Sequence, residues 1–407
     1  MKQLSKLMLA AVASVALAAP AFAWDFGASG SSTASFNSTS TKASKDATNT
    51  IASGGVTSSA SSLKLSSSHT DGPKSLSLSY TLDWDGNLDE TITLSGSSKV
   101  GDWTASGDVS YNRDRPGCYQ GDNGTAVTTN AATAGCQGQT GEDTTAVTVT
   151  DGTMTIKLGD ASHLSGQNVS SNGAAAGAVS FDAADDDASV GAFVGAFQGV
   201  SLGYKISDTM SATVAYQASL DTADACGAGE AYDGEGASHG ITATGLGFSG
   251  TFGIASVGFT MCNAATADAG TASVSPASTS TATSTMGIGV KLDLGDIDPF
   301  ISFGTYSAVG SVSKAGAAYA GNEVGLTYAL GNDTVVFYIG SVTEIVTPSG
   351  GVAGEAITKS GMELGYNTMV GPASLKVGYG SQTHAQTGGS TDGYSMTDIE
   401  VAMTYGF

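Results

Sequence analysis

The sequence predicts an all-β protein, a transmembrane antiparallel β-barrel of about 16 strands, with 18 possible. Two observations carry this prediction: apolar and polar residues alternate over repeated segments of 8 to 14 residues, and short turns alternate with long loops between these segments. Successive side chains of a strand point to opposite faces, and about 9–11 residues of a tilted strand cross a bilayer. The segments therefore have the pattern and the length of membrane-spanning strands.

The composition favours one large barrel over several soluble domains. The chain has 407 residues with 57 Gly, only 7 Pro and 13% charged residues. Its mean hydropathy is +0.06 although 41% of its residues are hydrophobic, as expected when apolar and polar positions alternate. Two or three soluble domains would be the usual expectation at this length, and low charge also fits disorder. The repeated alternation argues against both.

The first 23 residues have the features of a cleaved signal peptide. Lys2 and Lys6 precede an apolar stretch over 7–19, and Ala21-Phe22-Ala23 forms a small-x-small cleavage site. The stretch is shorter than the roughly 20 apolar residues of a membrane-spanning helix. We therefore expect cleavage before Trp24, leaving 24–407 as a single barrel domain.

The lengths of the connections define the two ends of the predicted barrel. Long loops rich in Gly, Ser, Thr and Ala are expected near 112–143, 160–187, 219–237, 263–283 and 346–354. Short turns are expected at Ser249-Gly250, Gly295-Asp296, Gly331-Asn332-Asp333 and Val370-Gly371. Outer-membrane barrels have short periplasmic turns and long external loops.

The strand count depends on the N-terminal region. Counting back from Phe407 gives 16 strands by residue 73, and 24–36 and 52–66 could add two more or form a closing strand and a periplasmic stretch. One strand, expected over 251–262, changes phase between Ile254 and Val257. This change predicts a β-bulge near Ala255-Ser256.

The chain ends in a strand whose last residue is aromatic. Its alternating apolar residues are Ile399, Val401, Met403, Tyr405 and Phe407. This ending resembles the closing strand of bacterial outer-membrane barrels, in which the terminal Phe and the residues before it, here Tyr405 and Phe407, serve as an insertion signal. The run from Gly152 to Asp160 is similar to the strand that precedes the constriction loop of porins. The whole mature chain thus resembles the general porins of Gram-negative bacteria.

This resemblance implies a homotrimer of water-filled channels in the outer membrane. Small hydrophilic solutes and ions would diffuse through each channel, which the third external loop, near 160–187, would narrow by folding inward. The expected partners are outer-membrane lipid, lipopolysaccharide and, during biogenesis, the barrel-assembly machinery. The chain departs from the family in its serine-rich start and in having only Arg113 and Arg115, both in a different loop, where porins commonly place arginines at the constriction.

The phase of each strand sorts its charged residues to one face. If the apolar residues face lipid, the charged residues between them face the pore, since a Lys or Arg on the lipid face near mid-bilayer costs roughly 2–4 kcal/mol. A register error of one residue would invert an assignment, and scattered solvated charges are the alternative. The residues expected to line the pore are Lys157, Lys205, Lys291, Asp293, Glu323, Glu363, Lys376, Asp398 and Glu400.

Four further carboxylates, Asp182, Asp185, Asp186 and Asp187, fall in the predicted constriction loop. They could form an acidic side of the channel, an exposed Asp-rich turn, or a loose divalent-cation site that lacks the Gly and Glu of a calcium loop. Removing Lys2 and Lys6 with the signal peptide takes the net charge from −22 to −24. Because charged rings of one sign set ion preference, weak cation selectivity is expected.

The four cysteines are expected in external loops or at strand ends. An even count in an exported protein indicates disulfides. Three pairings are possible, and proximity in sequence favours Cys118–Cys136 and Cys226–Cys262.

The sequence predicts no enzyme, cofactor or metal site. Gly245–Gly250 matches GxGxxG formally, but a strand pattern follows it where a phosphate-binding helix would be needed. The acidic chain disfavours nucleic-acid binding. Two other functions stay open: a structural or adhesive surface barrel, which would not conduct ions, and a barrel enzyme, which would need a Ser/His or Asp/His site. Bilayer conductance separates the first of these from a channel.

Overall fold

A computed structural model describes residues 25–48, 50–84, 88–113, 142–166, 197–220, 241–266, 282–309, 318–346, 355–386 and 392–407. These residues form 18 strands: β1 (Asp25–Lys42), β2 (Ile51–Asp71), β3 (Lys74–Trp84), β4 (Leu88–Val100), β5 (Trp103–Arg113), β6 (Glu142–Thr150), β7 (Met154–Ala161), β8 (Phe197–Ser207), β9 (Met210–Leu220), β10 (Ile241–Phe252), β11 (Ala255–Thr266), β12 (Ala282–Leu292), β13 (Ile297–Val309), β14 (Ala318–Leu330), β15 (Asp333–Val346), β16 (Glu355–Val370), β17 (Ala373–Gln386) and β18 (Ser395–Gly406).

The strands form one sheet that closes into an antiparallel β-barrel. From β2 to β18 the strands follow each other in sequence order, and β1 pairs with both β2 and β18. The fold class predicted from the sequence is therefore confirmed, with the larger of the two strand counts. The two additional strands are β1 and β2, which overlap the N-terminal segments 24–36 and 52–66. Within the described residues, no helix is both long enough and apolar enough to span a membrane.

Short turns follow the even-numbered strands from β2 to β16. A glycine with positive φ occupies several of them, including Gly253 (φ 63°) between β10 and β11 and Gly371 (φ 63°) between β16 and β17. A side chain at such a φ is strained, whereas glycine adopts it readily. The glycines therefore fix where these hairpins reverse.

The structure corrects one turn and one irregularity expected from the sequence. β10 continues through Ser249 and Gly250 to Phe252, and the chain reverses at Gly253 and Ile254. The phase change is this reversal, so the β-bulge expected at Ala255-Ser256 is wrong: in the register of β10 and β11, both residues pair regularly with β10. An added Cβ at Gly250 would lie 3.0 Å from the Phe248 ring and 2.8 Å from the Phe252 ring. Gly250 is thus a packing position, not a turn.

Strand alternation separates an apolar exposed face from a buried face. On β15, Val336, Tyr338 and Val342 are buried, whereas Ile339 between them is 51% exposed. The same exposed face carries large hydrophobic residues on other strands: Ile288, Ile301, Phe303, Val324, Leu364, Ile399 and Met403. A soluble protein buries such residues, whereas a membrane barrel turns them toward lipid. The buried side chains therefore point to the inward face.

The chain divides into two compact units. One contains the start of β1, most of β2, β3 to β6 and the last residues of the chain. The other contains the rest of β1, the first residues of β2, β7 to β17 and most of β18. Nearly all described residues that the sequence assigned to a pore belong to the second unit.

Candidate functional site

Five consecutive strands of the second unit each carry a deeply buried polar side chain; Gln217, Thr260, Thr285 and Ser302, on β9 and β11 to β13, are buried to the same degree. We call Glu323 (β14), Tyr338 (β15), Glu363 (β16), Gln382 (β17) and Asp398 (β18) the acidic belt. Each is at most 2% exposed. Tyr338 lies directly opposite Glu363 in the register of β15 and β16. Adjacent strands are about 4.8 Å apart, so carboxylates on alternate strands are separated by about 10 Å across the sheet.

Glycines and small side chains surround the belt. Glu323 pairs with Gly340 on β15 and with Ser302 on β13, whose Oγ donates a hydrogen bond to Glu323 Oε2 at 3.3 Å. Glu363 pairs with Gly380 on β17. A glycine opposite a carboxylate leaves room for the acidic side chain beside the sheet. The belt thus brings three buried carboxylates to the inward face of the sheet.

Asp398 accepts two hydrogen bonds from the first strand. Its Oδ2 accepts a hydrogen bond from Asn37 Nδ2 at 2.9 Å, and its Oδ1 accepts one from Thr39 Oγ1 at 2.8 Å. Asn37 and Thr39 belong to β1, so this carboxylate joins the last strand to the first. Hydrogen bonds to a charged acceptor are stronger than neutral ones, and Asp398 therefore holds the closure of the sheet.

The chain leaving β7 turns onto the inward face of β10 and β11. Leu164 is buried, and an added Cβ at Gly245 would lie 2.8 Å from its Cδ2 atom. An added Cβ at Gly247 would lie 2.5 Å from the backbone oxygen of Ser165. Two glycines on β10 thus form a cradle that the segment Leu164–Gly166 fills. At Gly247 the close atoms are backbone atoms of Ser165, so this position requires glycine, whereas at Gly245 the flexible end of the Leu164 side chain would have to move.

His163 fixes the direction of this segment. The ring is buried, with Nδ1 2.9 Å from Ser201 Oγ and Nε2 2.9 Å from the carbonyl oxygen of Gly159. The carbonyl can only accept, so Nε2 carries the proton and Nδ1 accepts from the Ser201 hydroxyl. Both ring nitrogens are thereby satisfied by the neutral imidazole. The segment 162–166 begins the predicted constriction loop, whose remaining residues lie outside the described part of the chain.

The lysines expected to line the pore lie at a different level from the belt. Lys157, Lys205, Lys291 and Lys376 are each within four residues of the short-turn end of their strands. The belt carboxylates lie seven or eight residues from the corresponding end of their strands, and Glu400 lies six. A strand rises about 3.3 Å per residue, so roughly 10 Å or more separates the two groups along the strands.

Carboxylates of the turns neutralise part of this lysine group. Lys205 Nζ lies 2.7 Å from Asp208 Oδ1, and Lys291 Nζ lies 3.8 Å from Asp298 Oδ2. The hydrogen bond and charge of Lys205 hold the pKa of Asp208 below its usual range. Lys157 donates to the carbonyl oxygen of Ser162 at 3.0 Å. Lys376 lies opposite Asn367 in the register of β16 and β17.

The remaining expected site residues have distinct surroundings. Asp293 Oδ1 accepts a hydrogen bond from Gly295 N at 3.1 Å and so caps the turn after β12. Glu400 points inward beside Asp398. Cys262 is fully buried on β11 and is disulfide-bonded. The loop carboxylates Asp182, Asp185, Asp186 and Asp187 and the cysteines Cys118, Cys136 and Cys226 lie outside the described residues, so the pairing of the cysteines stays a prediction.

The chain terminus packs against the first strand in the first unit. Phe407 exchanges two backbone hydrogen bonds with Gly30, at 2.7 and 2.9 Å. An added Cβ at Gly30 would lie 2.6 Å from the Phe407 ring, and this ring stacks on Tyr405 at a centroid distance of 6.2 Å. Phe407, the last residue of the expected insertion signal, therefore also pairs with Gly30 of β1, and its ring lies where a Cβ at position 30 would stand.

Sequence reasoning missed several residues of the site. The phase rule that sorted the charged residues would also have placed Tyr338 and Gln382 inward, but it was applied to charges alone. Asn37, Thr39 and His163 carry no local signal, because their partners lie far along the sequence or in the segment after β7. Among the described residues, no group of three or more His, Cys, Asp or Glu is arranged to hold a metal ion.

A hydrogen-bonded clamp links two loops at the long-loop end of the second unit. Lys45 Nζ lies 2.6 Å from Asp392 Oδ2, and Lys45 N donates to the Asp392 carbonyl oxygen at 2.7 Å. Asp392 Oδ1 also accepts from Gln386 N at 3.0 Å. The Lys45 hydrogen bond lowers the pKa of Asp392, and the same contact raises the pKa of Lys45.

We expect this clamp to loosen in acid. Because the pKa of Asp392 is depressed in the folded state, its contribution is present above the unfolded value, about 3.9. That contribution is lost as the pH falls through the lower folded value. Hydrogen exchange of residues 43–48, followed from pH 7 to pH 3, should show loss of protection beyond the intrinsic pH effect. The Asp392→Asn variant should lose this extra pH dependence; an unchanged profile in the variant would contradict the assignment.

Solved structures share this fold at low sequence identity. The anion-selective porin from Comamonas acidovorans aligns with a TM-score of 0.50 at 12% identity, covering 94% of this chain and 100% of that one. The outer membrane channel DcaP of Acinetobacter baumannii aligns with a TM-score of 0.50 at 14% identity, covering 94% of this chain and 97% of that one. In-vitro folded OmpT, an outer membrane protein of Vibrio cholerae in its trimer form, aligns with a TM-score of 0.51 at 10% identity. The alignment covers 94% of this chain and 99% of that one.

These likenesses show the fold and not a family. No protein-family model matches the chain, and no curated protein matches its sequence. The expected localisation in the outer membrane of a Gram-negative bacterium is consistent with the fold, since the solved structures come from outer-membrane proteins and the exposed face of this barrel is apolar. The chain therefore has the fold of outer-membrane barrels.

Proposed function

We propose that this protein is an outer-membrane porin, a water-filled channel for passive diffusion of small hydrophilic solutes and ions, and not an enzyme. The observation that carries the proposal is the sorting of side chains in the second unit: large apolar residues are exposed on the outward face, and the acidic belt lies on the inward face. Porin barrels of 16–18 strands leave an aqueous channel, so charged groups on the inner wall of an 18-stranded barrel support a channel. The solved outer-membrane channels with this fold support the proposal.

We further propose weak cation selectivity, with the acidic belt as its source. The belt places Glu323, Glu363 and Asp398 on three of five neighbouring strands, while the four expected pore lysines lie near the turns, two of them paired with aspartates. The inward face also carries Lys359, four residues from Glu363 on β16. Charges inside low-dielectric walls act over longer distances than charges in water. The belt should therefore attract cations even though its side chains are buried.

The assembly follows from the same proposal. We propose a homotrimer with a cleaved signal peptide over 1–23, disulfides Cys118–Cys136 and Cys226–Cys262, and a constriction loop near 160–187. Support for the loop comes from Leu164–Gly166, which already lie on the inward face. Support for the trimer comes from the trimer form of the Vibrio cholerae protein with this fold.

Planar bilayer recording tests both the channel and its selectivity. Purified protein should give steady conductance steps at high salt, and the reversal potential in a salt gradient should show a cation preference. In the double variant Glu323→Gln, Glu363→Gln, two of the three belt charges are removed. We therefore expect the reversal potential to lie roughly half as far from zero as in the unaltered protein.

The control is Glu323→Asp, Glu363→Asp, which keeps both charges and should keep most of the preference. An anion preference in the unaltered protein would contradict the proposed selectivity. Silence in the bilayer, with folded protein confirmed by heat-dependent mobility in electrophoresis, would favour a structural or adhesive surface protein instead.

A further inference from the structure

A groove of about 590 Å³ lies on the first unit, beside the short turns that join β2 to β3 and β4 to β5. This volume is in the range of about 300–1,000 Å³ that small-molecule sites have. Most of the groove residues belong to two rows that the strand register lays across β2 to β6. The row nearer the turns consists of Asp71, Lys74, Ser98 and Ala105, each opposite the next.

The second row lies two residues further from the turns and sets the face on which the groove opens. It consists of His69, Leu76, Gly96, Gly107 and Val147. Leu76 is 40% exposed and Val147 is 44% exposed, and a membrane barrel turns such apolar side chains toward lipid. The groove therefore opens toward the membrane and not toward the inside of the barrel.

Two glycines form the floor of the groove. Gly96 and Gly107 lie opposite each other on β4 and β5, and neither has a positive φ. An added Cβ would have only ordinary contacts, the nearest at 3.5 Å to Ser75 O from Gly96 and at 3.4 Å to Ala146 O from Gly107. The fold therefore tolerates a side chain at either position, and the glycines leave a space on the outward side.

The polarity of the groove changes along the strands. Beyond the second row, Leu78, Leu94 and Val109 stand opposite one another with large apolar side chains that are 44%, 45% and 45% exposed. From the turns inward, the groove thus has a charged mouth, a floor of small residues and an apolar far wall. The headgroup, glycerol and acyl chains of a phospholipid follow each other in the same order from the membrane surface to its centre.

The mouth of the groove carries one charge of each sign. Asp71 and Lys74 are exposed and lie directly opposite each other, so their Cβ atoms are about 4.5–5.5 Å apart. A charge on the lipid face is costly at the bilayer midplane and cheap near the interface, so this pair marks the interfacial end of the groove. A headgroup with one phosphate and one ammonium matches both charges, whereas a headgroup with a phosphate alone faces an unmatched carboxylate.

We infer that this groove binds an aminophospholipid of the membrane. Lys74 donates to the lipid phosphate and Asp71 accepts from the lipid ammonium, contacts that charge strengthens, while the glycerol and the start of one acyl chain lie over Gly96 and Gly107. Because outer-membrane barrels have their short turns on the periplasmic side, the lipid belongs to the periplasmic leaflet. The site lies on the outward face, so its occupancy does not depend on ion conduction.

Photolabelling by lipid measures the headgroup preference directly. The full chain is folded into phosphatidylcholine vesicles that contain a small fraction of phosphatidylethanolamine or of phosphatidylglycerol, each with a diazirine at the start of one acyl chain. Mass spectrometry should find the residues of the groove labelled about threefold more by phosphatidylethanolamine, the size expected from one exposed ion pair. The ratio should be close to one at Ile288, on the outward face of the second unit. Equal labelling of the groove by both lipids would overturn the inference.

Variants of the mouth and of the floor separate the two parts of the site. Asp71→Asn should bring the labelling ratio to about one, since it removes the partner of the ammonium, and Gly107→Leu should lower labelling by both lipids because its side chain fills the floor. Asp102→Asn is the matched control: it removes a carboxylate from the neighbouring turn, outside the groove, and should keep the ratio. An unchanged ratio in folded Asp71→Asn would overturn the inference, as would a groove that neither lipid labels because a second copy of the chain covers it.

Discussion

Replacing Asp398 by alanine should destabilise the barrel by about 3 kcal/mol, since each hydrogen bond to a charged group contributes about 1.5–3 kcal/mol. Asp398 is 1% exposed and accepts hydrogen bonds from Asn37 and Thr39 on β1. The alanine leaves the half-buried Asn37 amide without this acceptor, whereas the Thr39 hydroxyl keeps its contact of 2.8 Å to Asn37 Oδ1. The free energy of unfolding, measured by urea titration in lipid vesicles, should fall accordingly.

Two comparison variants separate the hydrogen bonds from general disturbance of β18. Asp398→Asn keeps one acceptor oxygen, so it should lower the free energy of unfolding by less than Asp398→Ala does. Thr397→Ala alters the exposed neighbour on the same strand and should change stability by less than about 0.5 kcal/mol. If Asp398→Ala and Thr397→Ala have equal stability, the carboxylate does not hold the closure of the sheet.

The sequence predicted the faces of the strands better than the contacts made on them. Period-two alternation assigns a face from local residues alone, and it placed Glu323, Glu363 and Asp398 each beside an apolar residue that proves to be exposed, namely Val324, Leu364 and Ile399. The partners of Asp398 could not be found in this way, because Asn37 lies 361 residues away in sequence. The role of the three belt carboxylates in a channel stays a prediction.

Glycine was the least informative residue in the sequence. Gly250 and Gly253 lie close together near the end of β10, yet only Gly253 has a positive φ and marks the turn. Gly245 and Gly247 serve neither as turns nor as a nucleotide-binding motif; they make room for Leu164 and Ser165 on the inward face. One residue type thus has three different physical roles in nine positions, and only the three-dimensional contacts distinguish them.

The belt also required the structure. Charge sorting predicted an inner wall lined by both lysines and carboxylates, which could have neutralised each other. In the second unit the two groups occupy different levels, because the expected lysines lie near the hairpin turns and the belt lies about four residues further along the strands. The level of a residue depends on where its strand begins. The turn predicted from the sequence after β10 lies several residues from its true position, so the levels could not be predicted.

Adding one methyl group at Gly247 should release the segment that follows β7. In Gly247→Ala the new Cβ would lie 2.5 Å from the Ser165 oxygen and 2.6 Å from its nitrogen, both backbone atoms that a side-chain rotation cannot move. Overpacking of this kind costs about 1–3 kcal/mol. Residues 162–166 should therefore lose hydrogen-exchange protection by about one order of magnitude or more, since 1.4 kcal/mol is a factor of ten.

The same substitution at Gly96 provides the control, because an added Cβ there would have only ordinary contacts, the nearest at 3.5 Å to the Ser75 oxygen. If the segment after β7 narrows a channel, Gly247→Ala should also raise the single-channel conductance, whereas Gly96→Ala should leave it unchanged. Lost protection with unaltered conductance would show that the cradle holds the segment but that this segment does not limit ion flow. Unaltered protection in Gly247→Ala would mean that the segment does not occupy the cradle at all.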